Sequence, residues 1–209
     1  MLSFVTVLRL GVLVCLVLVA APLPGGAQDA NRLHPSPPAG DRLQEQIRLC
    51  SACHGENGTP QEKTTPIIWG QHLGYLYLQL KDFKGGERKD EQMGPVAESL
   101  ERTDMLALAE YFSKKSWPRT TQPPAKDDIA LTAARANTAV GCTGCHQDQY
   151  RGEGTQARLA GQTREYLFKT MHEIRTGARG NNPGMTTLMK ATNEADIAAL
   201  AEYLAGLRL

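Results

Sequence analysis

The pattern Cys-x-x-Cys-His occurs twice in this chain, in "CSACHGEN" at residues 50–57 and in "CTGCHQDQ" at residues 142–149. Cys50, Cys53 and His54 recur as Cys142, Cys145 and His146, at an offset of 92. The repetition extends well beyond the motif. "GQHLGYLYLQLKDFKGGER" (70–88) aligns with "GQTREYLFKTMHEIRTGAR" (161–179) at an offset of 91, pairing Gln71 with Gln162, Tyr75 with Tyr166 and Arg88 with Arg179. "TDMLALAEYF" (103–112) aligns with "ADIAALAEYL" (195–204), with the offset back at 92. A period of about 90 residues is longer than a solenoid unit and is the size of a small domain. The chain reads as a tandem duplication with one site in each half.

Cys-x-x-Cys alone fits a redox dithiol or half of a zinc site. A histidine directly after the second cysteine points instead to c-type haem attachment. There the two thiols form thioethers to the porphyrin and the adjacent imidazole bonds the iron. A zinc site would have to pool both cysteine pairs across the gap from Cys53 to Cys142. That gap far exceeds a zinc-ribbon loop, and zinc gives no reason for a histidine after each pair. A structural disulfide is the remaining alternative. Two covalent haem c groups are expected, held by Cys50 and Cys53 and by Cys142 and Cys145, with His54 and His146 on the irons.

Residues 1–27 have the form of an export signal: Arg9, the apolar run "LGVLVCLVLVAAPL", then "PGGA" as a small-residue cleavage region. The run is short and proline-interrupted for a membrane span, and an uncleaved anchor is the alternative. Cys15 lies inside it as a small hydrophobe. The other four of the five cysteines sit in the two motifs, leaving no thiol for a disulfide framework. Of 23 basic residues only Arg9 falls in the signal, so 22 remain against 22 acidic ones. Such a balance does not suggest nucleic-acid binding.

The periodicity within each half is helical, predicting an all-α fold. Leu76, Leu80 and Phe83 fall on one face, as do Leu167, Met171 and Ile174. Met105, Leu108, Ala109 and Phe112 make a second stripe, matched by Ile197, Leu200, Ala201 and Leu204. A further helix is expected before each motif, giving about three per half. Small units of this kind bury little alone, and a covalent porphyrin supplies much of the missing core. The expected organisation is a signal (1–27), a flexible leader (28–40), a first domain (41–115), a proline-rich extended linker (116–128) and a second domain (129–209).

The second axial ligand decides what such irons do. An iron ligated by protein on both sides exchanges electrons, whereas an open position binds small molecules. Met93 follows His54 by 39 residues, and Met185 follows His146 by 39. Both stand in loop-like surroundings, "DEQMGPV" and "NNPGMTTL". Met105 and Met171 fall on apolar faces and read as core, and Met189 aligns with Ala97, which cannot ligate iron. Met93 and Met185 are the expected ligands.

Together "CSACH", "CTGCH", the "GQ" before each middle helix, the two methionines and the closing "LAEYF" and "LAEYL" resemble a di-haem bacterial cytochrome c of the cytochrome c4 type. The likeness covers about residues 41–209. It implies two tandem class I cytochrome c domains with His–Met ligation. It further implies a periplasmic electron carrier, soluble or loosely membrane-associated, working between a donor dehydrogenase or cytochrome complex and an acceptor oxidase. A dedicated electron-transfer subunit of one dehydrogenase, of the flavin sulfide dehydrogenase or quinoprotein type, is the rival of the same kind; a di-haem peroxidase, a thiosulfate-oxidising cytochrome or a gas sensor would need an open or unusual ligand position. The family often has a proline whose carbonyl accepts a bond from the haem histidine. Pro66 fits that place, and Ala157 stands at its counterpart, where a less constrained loop is expected. Arg88 and Arg179 are expected either beside haem propionates or as solvated helix-end residues. His72 and His172 do not repeat and are expected at the surface; Tyr111 and Tyr203 are expected to pack the last helix of each half.

Overall fold

Apolar residues at helical spacing build the long elements of the computed structural model, which describes residues 39–208. The signal and most of the leader lie outside the described residues. Helices α1 (Ala39–His54), α2 (Leu73–Gly85), α3 (Met93–Glu98) and α4 (Arg102–Ser113) form the first half. Helices α5 (Asp127–Val140), α6 (Thr143–His146), α7 (Arg164–Thr176), α8 (Pro183–Ala191) and α9 (Glu194–Gly206) form the second, with a 3-10 turn at Asp148–Tyr150. Among the described residues the β-type pairing is a single bridge between Glu153 and Gln156.

The expected stripes are the core. Met105, Leu108, Ala109 and Phe112 are buried with Ile47 and Leu76 in one cluster, and Ile197, Leu200, Ala201 and Leu204 with Leu167, Met171 and Ile174 in another. The clusters are separate, one to each half. Arg42 of α1 is held across to Asp104 of α4 by two bonds of 2.6 and 3.1 Å. Tyr203 meets Tyr150 edge-on at 6.2 Å, while Tyr111 packs edge-on against its own neighbour Phe112.

The helix count exceeds the expected three per half because α3, α6 and α8 are short. Pro95 and Pro183 sit in the first turns of α3 and α8, where the missing N–H costs no intrahelical bond. The two haem motifs also differ in entry. α1 runs unbroken through His54, whereas α5 stops at Gly141, whose φ of 73° is a left-handed cap. Leu49 holds the equivalent position within α1.

The connecting segment carries no helix from Lys114 to Lys126, and it is strapped down. Gln122 donates from Nε2 to the Gln162 carbonyl at 2.9 Å and accepts from Arg164 N–H at 2.8 Å. Arg158 stacks over Trp117 at 4.3 Å. Gly70 and Gly161 both have positive φ and both lie against Trp117, so a side chain at either would strike it. Their N–H groups bond the ends of α4 and α9, at Phe112 O (2.9 Å) and Leu204 O (2.8 Å).

The turn after each motif shows where the duplicated halves have diverged. Gly55 and Gly58 carry positive φ in the first half, while the equivalent Gln147 and Tyr150 do so in the second. Gln147, at φ 61° and ψ 174°, occupies a region almost reserved for glycine. Gln147→Gly is therefore expected to stabilise the haem-loaded protein by about 1 kcal/mol, raising the melting temperature of the second half by ~5 °C. An unchanged or lower melting temperature would show that the turn is unstrained.

Candidate haem sites

Helical spacing sets the thiol geometry. Cys50 and Cys53 lie one turn apart at the end of α1, with His54 closing the helix, and α6 repeats the arrangement for Cys145 and His146. Cys50 and Cys142 are half-buried, Cys53 and Cys145 are exposed, and none of the four is paired in a disulfide. Burial pushes the Cys50 thiol up to about 11 and raises that of Cys142 above its ordinary value. Among the described residues no group of three or more His, Cys, Asp or Glu side chains is gathered for a metal ion. The two cysteine pairs are not pooled as a zinc site would require.

His54 and His146 are both 7% exposed. Each ring donates from Nδ1 to a backbone carbonyl at 2.8 Å, Pro66 O for His54 and Ala157 O for His146. The bond at Ala157 has the same length as the one at Pro66. Burial lowers both imidazole pKa values, opposed by the carbonyl bonds, so the rings are neutral with Nε2 as a free lone pair. Nε2 of His146 is buried and has no hydrogen-bond partner within the protein. A buried acceptor left orphaned in this way fits an atom meant for iron. Both motifs open on one continuous cavity of about 670 Å³, lined also by Met93, Met185 and Met189.

The two equidistant methionines are placed by the same local device. Asp90 Oδ1 accepts from Met93 N–H at 3.0 Å, and Asn182 Oδ1 accepts from Met185 N–H at 3.0 Å. Met93 begins α3 and Met185 lies in the first turn of α8, so neither is in a loop as its surroundings suggest. Met189 is 2% exposed and belongs to the second core cluster, with Met185 at its edge. Asp90 and Asn182 share the 92-residue offset, a signal that the sequence carries without identical residues.

Neither repeated arginine is a solvated helix end. Arg88 donates to Gln79 Oε1 (2.8 Å) and the Tyr166 hydroxyl (3.1 Å), and the buried Arg179 donates to the same Gln79 oxygen (2.8 Å). Asn181 donates to the Asp82 carboxylate at 2.6 Å. Burial would raise the Tyr166 hydroxyl, but Arg88 and Arg179 overcome it and hold it below the ordinary tyrosine value. His72, half-buried at the surface, donates to the Arg151 carbonyl at 2.8 Å and so ties the halves together. His172 stacks on Phe168 at 6.1 Å.

Residues 132–208 match the family Cytochrome c. The cytochrome c4 of Azotobacter vinelandii is 32% identical over 189 residues, spanning 81% of this chain and 90% of that protein. The chain belongs to the cytochrome c4 family. Solved structures agree. That of the Acidithiobacillus ferrooxidans cytochrome c4 superposes with a TM-score of 0.69 at 30% identity, over 76% of this chain and 98% of the other. That of reduced recombinant cytochrome c4 from Pseudomonas stutzeri gives 0.70 at 27% identity, over 80% and 98%. As a cytochrome c4 this chain is a di-haem electron carrier, all-α, with two cytochrome c domains and two haem c groups.

Proposed function

We propose that this cytochrome c4 is a periplasmic one-electron shuttle whose haems are held by Cys50, Cys53, His54 and Met93 in the first half and by Cys142, Cys145, His146 and Met185 in the second. Residues 1–27 export it, and residues 41–115 and 129–209 are the two domains, joined by 116–128. The observation that carries the ligand reading is the pair of buried histidines, each fixed at 2.8 Å to a backbone carbonyl and facing the cavity that Met93 and Met185 also line. When bound, each haem supplies an iron that takes up and releases one electron. The chain's own residues do the rest. The cysteines tether the porphyrins, the carbonyl bonds fix the imidazole planes, and the thioether sulfurs favour the ferrous state and exclude added ligands. Among the described residues no helix is long and apolar enough to cross a membrane. The test is an optical spectrum of the purified protein, oxidised and then reduced under carbon monoxide. Low-spin spectra unaffected by carbon monoxide are expected, and full binding at both irons would overturn the assignment.

The partners are redox proteins. A donor dehydrogenase or cytochrome complex and an acceptor oxidase suit a free carrier. A second reading, a dedicated subunit, is favoured by relatives called thiosulfate dehydrogenase electron acceptor, from Stutzerimonas stutzeri and Thiomonas intermedia, each 29% identical over three quarters of this chain. Also similar is a thiosulfate dehydrogenase, TsdBA, from Marichromatium purpuratum, with a TM-score of 0.70 at 27% identity, of which this chain covers 40%. Capture of a stoichiometric dehydrogenase from periplasm would favour the subunit.

The two haems are expected to titrate at distinct midpoint potentials. Repeat-equivalent positions differ around them: Pro66 against Ala157, Ala97 against Met189, and a half-buried Arg88 against a buried Arg179. A cation, a side chain or a loop that differs near one iron shifts its ferric–ferrous balance. A redox titration described by two identical sites at every pH would contradict this.

A further inference from the structure

Gln71 and Gln162, the glutamines of the repeated "GQ", are each 3% exposed and each reach into the other half. Gln162 Oε1 accepts from Ile67 N–H at 2.8 Å while its Nε2 donates to Ile67 O at 3.0 Å. Gln71 repeats this on Arg158, accepting from its N–H at 2.9 Å and donating to its carbonyl at 3.0 Å. Ile67 and Arg158 are themselves repeat equivalents, so the two clasps are reciprocal. Each Oε1 also accepts from the next N–H of its own chain segment, His72 at 3.0 Å and Thr163 at 2.9 Å, which fixes the amide plane.

The contacted peptide groups are not arbitrary. The Ile67 N–H belongs to the same peptide unit as the Pro66 carbonyl, which accepts from His54. The Arg158 N–H belongs to the same unit as the Ala157 carbonyl, which accepts from His146. An acceptor on a peptide N–H polarises that peptide, and its carbonyl becomes a stronger acceptor in turn. A stronger bond to Nδ1 fixes the ring and makes the imidazole a better donor at Nε2, which favours ferric iron.

We propose that Gln71 and Gln162 are crossed positioning residues, each tuning the haem of the opposite half through the peptide that anchors its histidine. The inference rests on the reading of His54 and His146 as iron ligands. Gln162 thus sets the donor strength of His54, and Gln71 that of His146. Neither glutamine bonds a haem histidine directly; each acts through the peptide between them.

The test uses the full chain with both haems, following the haem methyl resonances of each half separately by NMR during a reductive titration. The wild type is first checked for the strongly shifted ring-proton resonances of iron-bound His54 and His146; their absence overturns the histidine reading, and the crossed assignment with it. With ligation intact, Gln162→Leu is expected to raise the midpoint potential of the first-half haem and leave the second within error. Gln71→Leu is expected to do the reverse. A shift confined to the substituted residue's own half, an equal shift of both haems, or no shift overturns the proposal. If a leucine variant does not fold, Gln162→Glu and Gln71→Glu keep an oxygen on the peptide N–H and test the same address: the larger shift must fall on the opposite haem. In the wild type, the Ile67 and Arg158 amide protons should be strongly protected from exchange, and ready exchange of either denies that the clasp exists.

Discussion

Replacing Cys142 and Cys145 together by alanine is expected to leave one covalent haem, so that the intact mass after acid-acetone extraction falls by one haem unit from wild type. The second half should also lose its fold. Leu167, Met171, Ile174, Leu200 and Leu204 all line the cavity and belong to the core of that half. Without a porphyrin the cavity these side chains line loses its filling, and each large side chain forfeits its packing contacts on that side. A domain of this size holds only about 5–15 kcal/mol in all. Helical circular dichroism should therefore drop by about half, while the first half keeps a normal low-spin spectrum, since its core cluster is separate. Two retained haem increments, or loss of both spectra, would contradict the assignment.

Met93→Ala is expected to open one axial position, so that the ferrous protein binds carbon monoxide at one haem and leaves the other untouched. Met185→Ala should do the same at the other haem. Met93→His should keep the iron ligated on both sides but lower its potential, because imidazole favours ferric iron more than thioether does. The control is Met189→Ala. Met189 also lines the cavity but is buried in the core of the second half, so its loss should cost about 2–5 kcal/mol of stability and open no ligand position. If Met189→Ala admits carbon monoxide while Met185→Ala does not, the ligand of the second half is Met189.

What could be read from the sequence follows how far apart the interacting residues are. The cysteines and histidine of each motif lie within five residues, so their geometry is set by one or two helical turns, and the residue types name the chemistry. The apolar stripes of α2, α4, α7 and α9 are likewise local, and each lies in the core as expected. Met93 and Met185 stand out by their equal spacing from His54 and His146, a comparison the duplication makes available. Their placement in helices is not legible, because Gly94, Pro95 and Pro183 look like loop residues, although the first turn of a helix tolerates them.

By itself, then, the sequence determined a duplicated helical unit with a haem motif in each copy, because those signals depend only on neighbours along the chain. The tertiary structure decided the rest: Arg88 and Arg179 drawn inward, His72 bonded to Arg151, and each glutamine clasped to the opposite half. Gln71 and Arg158 are 87 positions apart, and Gln162 and Ile67 are 95. Both glutamines bind backbone atoms, which every residue carries alike, so no choice of side chain at Ile67 or Arg158 announces the contact.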